Sequence, residues 1–427
     1  MNSKVLFNYL KKSFITGSFK TIVVSVVTLT LLPLIINKIG LERYGLVSMT
    51  MIFGSAVVFV DFGISKTITL LLGKTEKLKD KNLIVADSFL ISMLILGVLA
   101  IILIILDYCN ISILGKELDI STNLKRYIVL VGFITLLLSI INNMLIAILD
   151  SYLMMHLVNV GFALSSISFN IILFIVGWFF KNDFVLVSVP LISSSLLFLY
   201  YLILVKVRTD INVEKPNVNR AKRILSTSLK FLGLSLSSTA ALPLSKYALV
   251  LLSGNPIFIG VYDLSIKIAL LANSFLNSIS QPLLGVFSKF QDENERVFKI
   301  ANKISVIIFL LYALGVLSYY FIGENLVKLI DLENYSILFS TSFMLLLLMS
   351  FTSVSEPVYR AFMGVSLLKK AILLKLGGLF AGLICYLVFY KYEPLYRISL
   401  SYGLALFSSS VLIVISGWRM QNIKKQL

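Results

Sequence analysis

The sequence predicts an all-α integral membrane protein with twelve membrane-spanning helices. Three observations carry that prediction. Apolar runs of about 18 or more residues recur along the whole chain, the length a helix needs to cross a bilayer core at about 1.5 Å per residue. The runs lack the period-two alternation of barrel strands, and lipid admits only helices or closed barrels. The composition agrees, with 58% hydrophobic and 14% charged residues, outside the range of soluble domains.

The spans follow one another regularly. Phe14–Ile36 comes first. It is too long for a signal-peptide core and lacks a small-residue cleavage site, so it is read as a retained helix. Tyr44–Ser65 follows the loop Ile39–Arg43, and Asp87–Leu106 follows a connector holding Lys74, Lys77, Lys79 and Lys81. The connector from Asp107 to Arg126 leads to Tyr127–Leu149, and Leu157–Phe180 and Phe184–Val205 complete the first group. The charged connector Lys206–Arg223 separates it from the second group. There Leu229–Leu252 and Phe258–Phe287 are joined by the short turn Ser253-Gly254-Asn255-Pro256. Ala301–Ile322, Ser336–Val358, Ala371–Tyr390 and Tyr396–Trp418 finish the series. The predicted organisation is residues 1–205, a connector 206–228, and residues 229–427.

A net charge of +17 invites a nucleic-acid reading, but the distribution of charge opposes it. Lys4, Lys11, Lys12, the Lys74–Lys81 cluster, the Lys206–Arg223 cluster, Arg296, Lys369, Lys370, Lys424 and Lys425 fall on one side of the membrane. Lys38, Arg43, Lys116, Lys181, Lys328 and Lys391 are among the fewer on the other. This positive-inside asymmetry puts both termini in the cytoplasm. Membrane lipids with anionic headgroups suffice as partner for most of the charge. Two cysteines, Cys109 and Cys385, and one histidine, His156, give neither a disulfide framework nor metal-ligand spacing. The longest outer connector holds Asp107, Glu117 and Asp119 without metal-type spacing, so catalysis is disfavoured and no cofactor or metal is expected.

The two groups carry an internal match. Lys20 precedes Pro33 by 13 residues, and Lys230 precedes Pro243 by the same 13. Leu31-Leu32-Pro33-Leu34 parallels Ala241-Leu242-Pro243-Leu244. Many transporters are built from such repeated halves. A helix-interior proline frees a carbonyl and kinks the helix, so Pro33 and Pro243 are candidate hinges.

Several stretches together resemble a family. They are Leu10–Thr21, the Ile39-Gly40-Leu41-Glu42-Arg43-Tyr44-Gly45 loop, Asp61-Phe62-Gly63-Ile64, Lys246 followed by Gly260-Val261-Tyr262, and Gln281-Pro282 to Phe287-Ser288. In order and spacing they resemble the Wzx-type O-antigen and polysaccharide flippases of the MOP superfamily, which also holds MATE exporters and peptidoglycan lipid flippases. The resemblance implies two six-helix lobes in a V around a central cavity, working by alternating access. It implies as substrate a polyprenyl-pyrophosphate-linked oligosaccharide, an O-antigen, capsule or exopolysaccharide repeat unit, and as location the bacterial inner membrane. It also implies polysaccharide polymerase and chain-length regulator proteins as partners of a monomer, and a proton or sodium ion as candidate coupling ion. One departure stands out: many relatives place an acidic residue before the lysine of the seventh span, where this chain has Ser245.

Charges inside spans are costly and usually face a cavity or a partner. Lys246 and Lys267 lie well inside the seventh and eighth spans. Counting outward from the short turn puts Lys246 and Asp263 at similar depth, and Asp263 and Lys267 are four apart on one face. One reading is an ion pair that only holds helices together; it leaves one lysine over. The other is a cationic site for an anionic head. Asp263, Lys267, Ser274, Asn277, Ser278 and Gln281 recur near multiples of 3.6, a polar stripe that reads as the lining of a water-filled path or as inter-helix hydrogen bonding. Lys20 and Lys230 either snorkel to headgroups or form a basic entry ring. Asp61 and Glu356 are candidates for ion coupling, with Asp61 also placed to cap a turn and Glu356 to pair with Arg360. Two further readings are carried: a MATE-like exporter of small cations, which expects a dominant cavity carboxylate, and a non-transporting scaffold of a glycan-assembly complex.

The topology has a direct check. After removal of Cys109 and Cys385, cysteines placed at Lys77, Lys215, Arg296 or Lys370 are expected to resist an impermeant thiol reagent in intact cells. Labelling of the Lys215 loop from outside overturns the twelve-span arrangement.

Overall fold

The computed structural model describes residues 3–109, 114, 120–180, 182–212, 214–239, 241–280, 283, 287, 293–330, 333–365 and 367–422. Apart from short turns these residues are helical, and no strand occurs among them. The helices of the first half are α1 Ser3–Ser55, α2 Val57–Val60, α3 Ile64–Lys74, α4 Leu78–Tyr108, α5 Thr122–Ser151, α6 Met155–Phe179, α7 Asp183–Val187 and α8 Val189–Arg208. Then come α9 Val218–Thr239, α10 Ala241–Ser253, α11 Pro256–Ser280, α12 Asn294–Lys328, α13 Tyr335–Met349, α14 Thr352–Gly364, α15 Leu368–Val388 and α16 Pro394–Asn422.

Ten of the described stretches are long and apolar enough to cross a membrane. One of them, Ile15–Val60, covers most of the first two predicted spans. The seventh span is absent from the ten because it is divided. Its first part, α9, carries Arg220, Lys222, Arg223 and Lys230, and its second, α10, is a shorter apolar helix. Counted this way, the helices are consistent with twelve passes. The outer faces fit a lipid solvent: Ile104, Leu310 and Phe321 are exposed large apolar side chains on the longest helices, the reverse of a soluble surface.

Three features depart from the predicted elements. The loop expected at Ile39–Arg43 stays helical and turns at one residue, Gly40, with φ 81° and ψ 159°. That backbone region is essentially closed to residues with a Cβ. Pro33 lies inside the same helix, whose one non-helical residue is Gly40. Pro243 sits in the first turn of α10, where its missing N–H is tolerated. The second departure is α3, which the sequence reading treated as connector after Ser65. Its Ile64, Ile68 and Leu72 recur every four residues and are buried, so an amphipathic helix forms that is apolar but too short to cross a membrane. The third is the tenth span, which is interrupted between Met349 and Thr352.

The chain groups into two compact units. One is Met1–Pro243 with Val250–Pro256; the other is Leu244–Leu249 with Ile257–Leu427. The core of the first gathers Ile68, Leu72, Met144, Ile148, Val158, Tyr201 and Ile224. Its connector is pinned to α4. The Asn212 N–H donates to Asn82 Oδ1 at 3.1 Å, and the Asn217 N–H donates to Asp87 Oδ1 at 2.6 Å. Arg220 Nε donates to Asp87 Oδ2 at 2.7 Å. That hydrogen bond is the main cause raising the Arg220 pKa above its ordinary value. Ser228 then donates to Thr67 Oγ1 at 3.0 Å, holding α9 against α3. The second unit packs Phe287, Phe298, Ala301, Phe362, Ala371 and Ile413 together.

The turn at Gly40 gives a prediction. No atom lies within 4 Å of the position a Cβ takes there, so Gly40→Ala adds backbone strain without a clash. It is expected to lower stability by about 1–3 kcal/mol, read as an earlier midpoint in detergent-based thermal unfolding. An unchanged midpoint shows that the turn is not fixed at this residue.

Candidate functional site

The site begins with two antiparallel helices joined by a tight turn. Gly254 supplies the left-handed residue of that turn, with φ 58°, a conformation glycine adopts without steric cost. Two neighbouring side-chain contacts then tie α10 to α11. The Tyr262 hydroxyl donates to Ser245 Oγ at 2.7 Å. One residue further along each helix, Lys246 Nζ pairs with Asp263 Oδ1. Lys267 Nζ, one turn along α11, lies 3.1 Å from the other carboxylate oxygen, Asp263 Oδ2.

Two lysines therefore divide one carboxylate between them. The two ion-pair options weighed from the sequence both form, and neither lysine is left over. Burial grades across the cluster: the side-chain exposure is 1% for Asp263, 10% for Lys246 and 23% for Lys267. Asp263 is the most buried of the three and Lys267 the most exposed. The cluster carries one positive charge more than it neutralises. A buried ion pair with one partner removed is destabilised by about 3–5 kcal/mol, so the lysine pair needs the carboxylate and the carboxylate needs at least one lysine.

The other predicted positions are placed as follows. Ser274 donates to the Leu270 carbonyl of its own helix at 2.8 Å. Asn277 is half-buried, and its amide oxygen has no hydrogen-bond partner among the described residues. Gln281 and the side chains of Ser278 and Lys230 lie outside the described residues. Lys20, in the first unit, is half-buried with its Nζ 5.3 Å from the centre of the Phe162 ring. Asp61 accepts from the Ser65 hydroxyl at 2.6 Å and from the Ser65 N–H at 3.3 Å, so it caps α3. Glu356 pairs with Arg360 at 2.9 Å, one turn along α14.

One cluster escaped the sequence reading. Asn273, buried on α11, donates from Nδ2 to the Met349 carbonyl at 3.3 Å. Its Oδ1 accepts from Thr352 Oγ1 at 3.3 Å and from Ser353 Oγ. Ser350 Oγ reaches the Ala269 carbonyl at 3.5 Å. These groups fill the interruption of the tenth span, where backbone carbonyls have lost their helical partners. Asn273 lies about 80° around the helix from Asp263, at 100° per residue, and so fell off the polar stripe. The available signal was the density of hydroxyls in Ser350–Ser355 within an apolar span.

Comparison with known proteins fits this architecture. The polysaccharide biosynthesis protein family matches residues 10–291. Among solved structures, the lipid II flippase MurJ in an inward closed conformation superposes with a TM-score of 0.76 at 13% identity, covering 95% of this chain and 90% of that one. An inward-facing multidrug resistance MATE family transporter of the MOP superfamily gives 0.67 at 14% identity, covering 100% and 96%. A MOP superfamily transporter from Pyrococcus furiosus, described as having a binding pocket of reverse polarity, gives 0.56 at 14% identity, covering 96% of each chain. No curated protein matches. The fold is that of these transporters, and the protein is a multi-pass membrane protein.

The Asn273 cluster is testable apart from transport. Asn273→Leu removes the amide that bonds the Met349 carbonyl and the Thr352 and Ser353 hydroxyls, which keep only their contacts to backbone carbonyls, an expected loss of about 0.5–1.5 kcal/mol for each bond removed. Ser274→Ala removes a hydroxyl that returns to its own helix and is expected to leave the melting temperature unchanged. Equal melting of Asn273→Leu and wild type in the same detergent shows that the interruption does not depend on Asn273.

Proposed function

The chain belongs to the polysaccharide biosynthesis protein family, and from that premise we propose that it is a flippase for a polyprenyl-pyrophosphate-linked oligosaccharide. In this reading it works by alternating access in the bacterial cytoplasmic membrane, with both termini in the cytoplasm. The observation that carries the reading is the Lys246–Asp263–Lys267 cluster with its surplus positive charge. An uncompensated charge at mid-membrane costs at least about 2.5–3.5 kcal/mol. A diphosphate cannot cross without counter-charge, and two lysine ammonium groups supply it. Lysine suits the task, because its head is a mobile point charge with three donors. Ser274 and Asn277 extend the polar face of α11 from this cluster. Lys20 and Lys230 are the proposed entry cations.

A MATE-like exporter of small cations is the runner-up, and the same cluster weighs against it. That chemistry needs a carboxylate available to a cation. Asp263 is buried, and both its oxygens already face lysines.

The test separates binding from scaffolding. Because Asp263 contacts both lysines, removing either one leaves the carboxylate paired with the other. Lys246→Ala and Lys267→Ala are therefore expected at near wild-type abundance with glycan export lost, and the arginine variants are expected to keep part of the activity. In Lys246→Ala/Asp263→Asn a single lysine faces two phosphates, and export stays low. Recovery of export in that double variant overturns the substrate-binding role of Lys246.

A further inference from the structure

We propose that the Asp263 carboxylate is an internal competitor for the anionic headgroup, holding Lys246 and Lys267 in the empty protein and weakening their grip on the diphosphate so that it can be released. The inference rests on the diphosphate reading of the site given above.

The geometry is that of a built-in anion. Each oxygen of Asp263 serves one lysine, the arrangement a two-pronged anion adopts between two ammonium groups. Asp263 is more buried than either lysine, and Lys267 is the most exposed of the three. An incoming diphosphate therefore meets Lys267 first and cannot expel the carboxylate, which is carried on a short side chain. It has to share them. Lysine heads can do so, because each has three donors on a long flexible stem. The backbone need not follow, since the Tyr262–Ser245 hydrogen bond holds α10 to α11 one residue away from the Lys246–Asp263 pair.

The charge count fixes the sign of the effect. A diphosphate esterified at both ends carries one negative charge on each phosphate. Against two lysines alone, the loaded site is neutral and the substrate is trapped. With Asp263 present, the loaded site holds one surplus negative charge, and the bound state is loosened. A carboxylate that merely positioned the lysines has the opposite effect: its removal weakens binding.

The experiment uses full-length protein in nanodiscs and a synthetic polyprenyl-diphosphate-linked N-acetylglucosamine as probe. Asp263→Asn is expected to lower the Kd by about tenfold, the scale of one nearby like charge, and to slow single-turnover flipping in proteoliposomes. Asp263→Glu, which keeps the charge, is expected to stay near wild type. Lys246→Ala and Lys267→Ala are expected to bind weakly. If the lysine variants lose the probe but Asp263→Asn binds it no better than wild type, the competitor role is wrong and the flippase reading stands. If wild type itself does not bind the probe, the diphosphate reading fails and the inference falls with it. Should Asp263→Asn not fold, infrared difference spectra of wild type carrying 13C-labelled aspartate decide the matter. Adding the probe is expected to shift a carboxylate stretch, and an unshifted spectrum overturns the proposal.

Discussion

A charge left alone in hydrocarbon is the constraint on which the rest of this structure depends. Helices can satisfy their own backbones in lipid, but an ionised side chain needs a partner at the same depth. That requirement fixes register between helices more sharply than apolar packing does, because leucine gains little by facing a neighbour instead of a lipid tail. The pairing of Lys246 with Asp263 sets the register of α10 on α11, and Ser245 with Tyr262 repeats the setting one residue away. In the first unit, Asp87 does the same for the connector by gathering the Arg220 guanidinium and the Asn217 N–H. Glu356 finds Arg360 one turn away within its own helix.

The backbone obeys a milder form of the same rule. Wherever a membrane helix stops or bends, its freed carbonyls and amides need side-chain partners. Asp61 caps α3 after the turn at Phe62-Gly63, and Ser121 caps α5 by accepting from the Leu124 N–H. Asn273 serves the interrupted tenth span from a neighbouring helix. The bend at Gly40 needs no such partner, because what it requires is a residue without a Cβ. At these four positions the break is thus matched by a residue type suited to it.

This explains which parts of the structure the sequence announced. Span positions were legible because hydropathy averages over about 20 residues, and errors at single positions cancel. The meeting of Lys246 and Asp263 was legible for a different reason. A turn as short as Ser253–Pro256 leaves almost no freedom of register, so counting outward from it predicts which residues face each other. The same averaging hid α3, whose buried Ile64, Ile68 and Leu72 are diluted by Ser65, Lys66 and Lys74. It also hid the interruptions of the seventh and tenth spans, where the decision lies with a few hydrogen-bonding groups. Asn273 was invisible for the further reason that its partners lie 76 to 80 positions away. The sharing of one carboxylate by both lysines was only half legible. Spacing put Asp263 within reach of each lysine separately, but not of both at once.

That sharing changes what the cluster can be. A single lysine–aspartate pair is complete, and nothing about it asks for a ligand. Two lysines on one aspartate sum to one positive charge, and Lys267 is the most exposed of the three side chains, at 23%. In the proposed function a diphosphate turns that single positive charge into a single negative one while it is bound, so neither the empty nor the loaded site is neutral. The fold is shared with the lipid II flippase and the MATE transporters. In the proposed function it is the charge at Lys246 and Lys267 that suits this site to an anionic substrate.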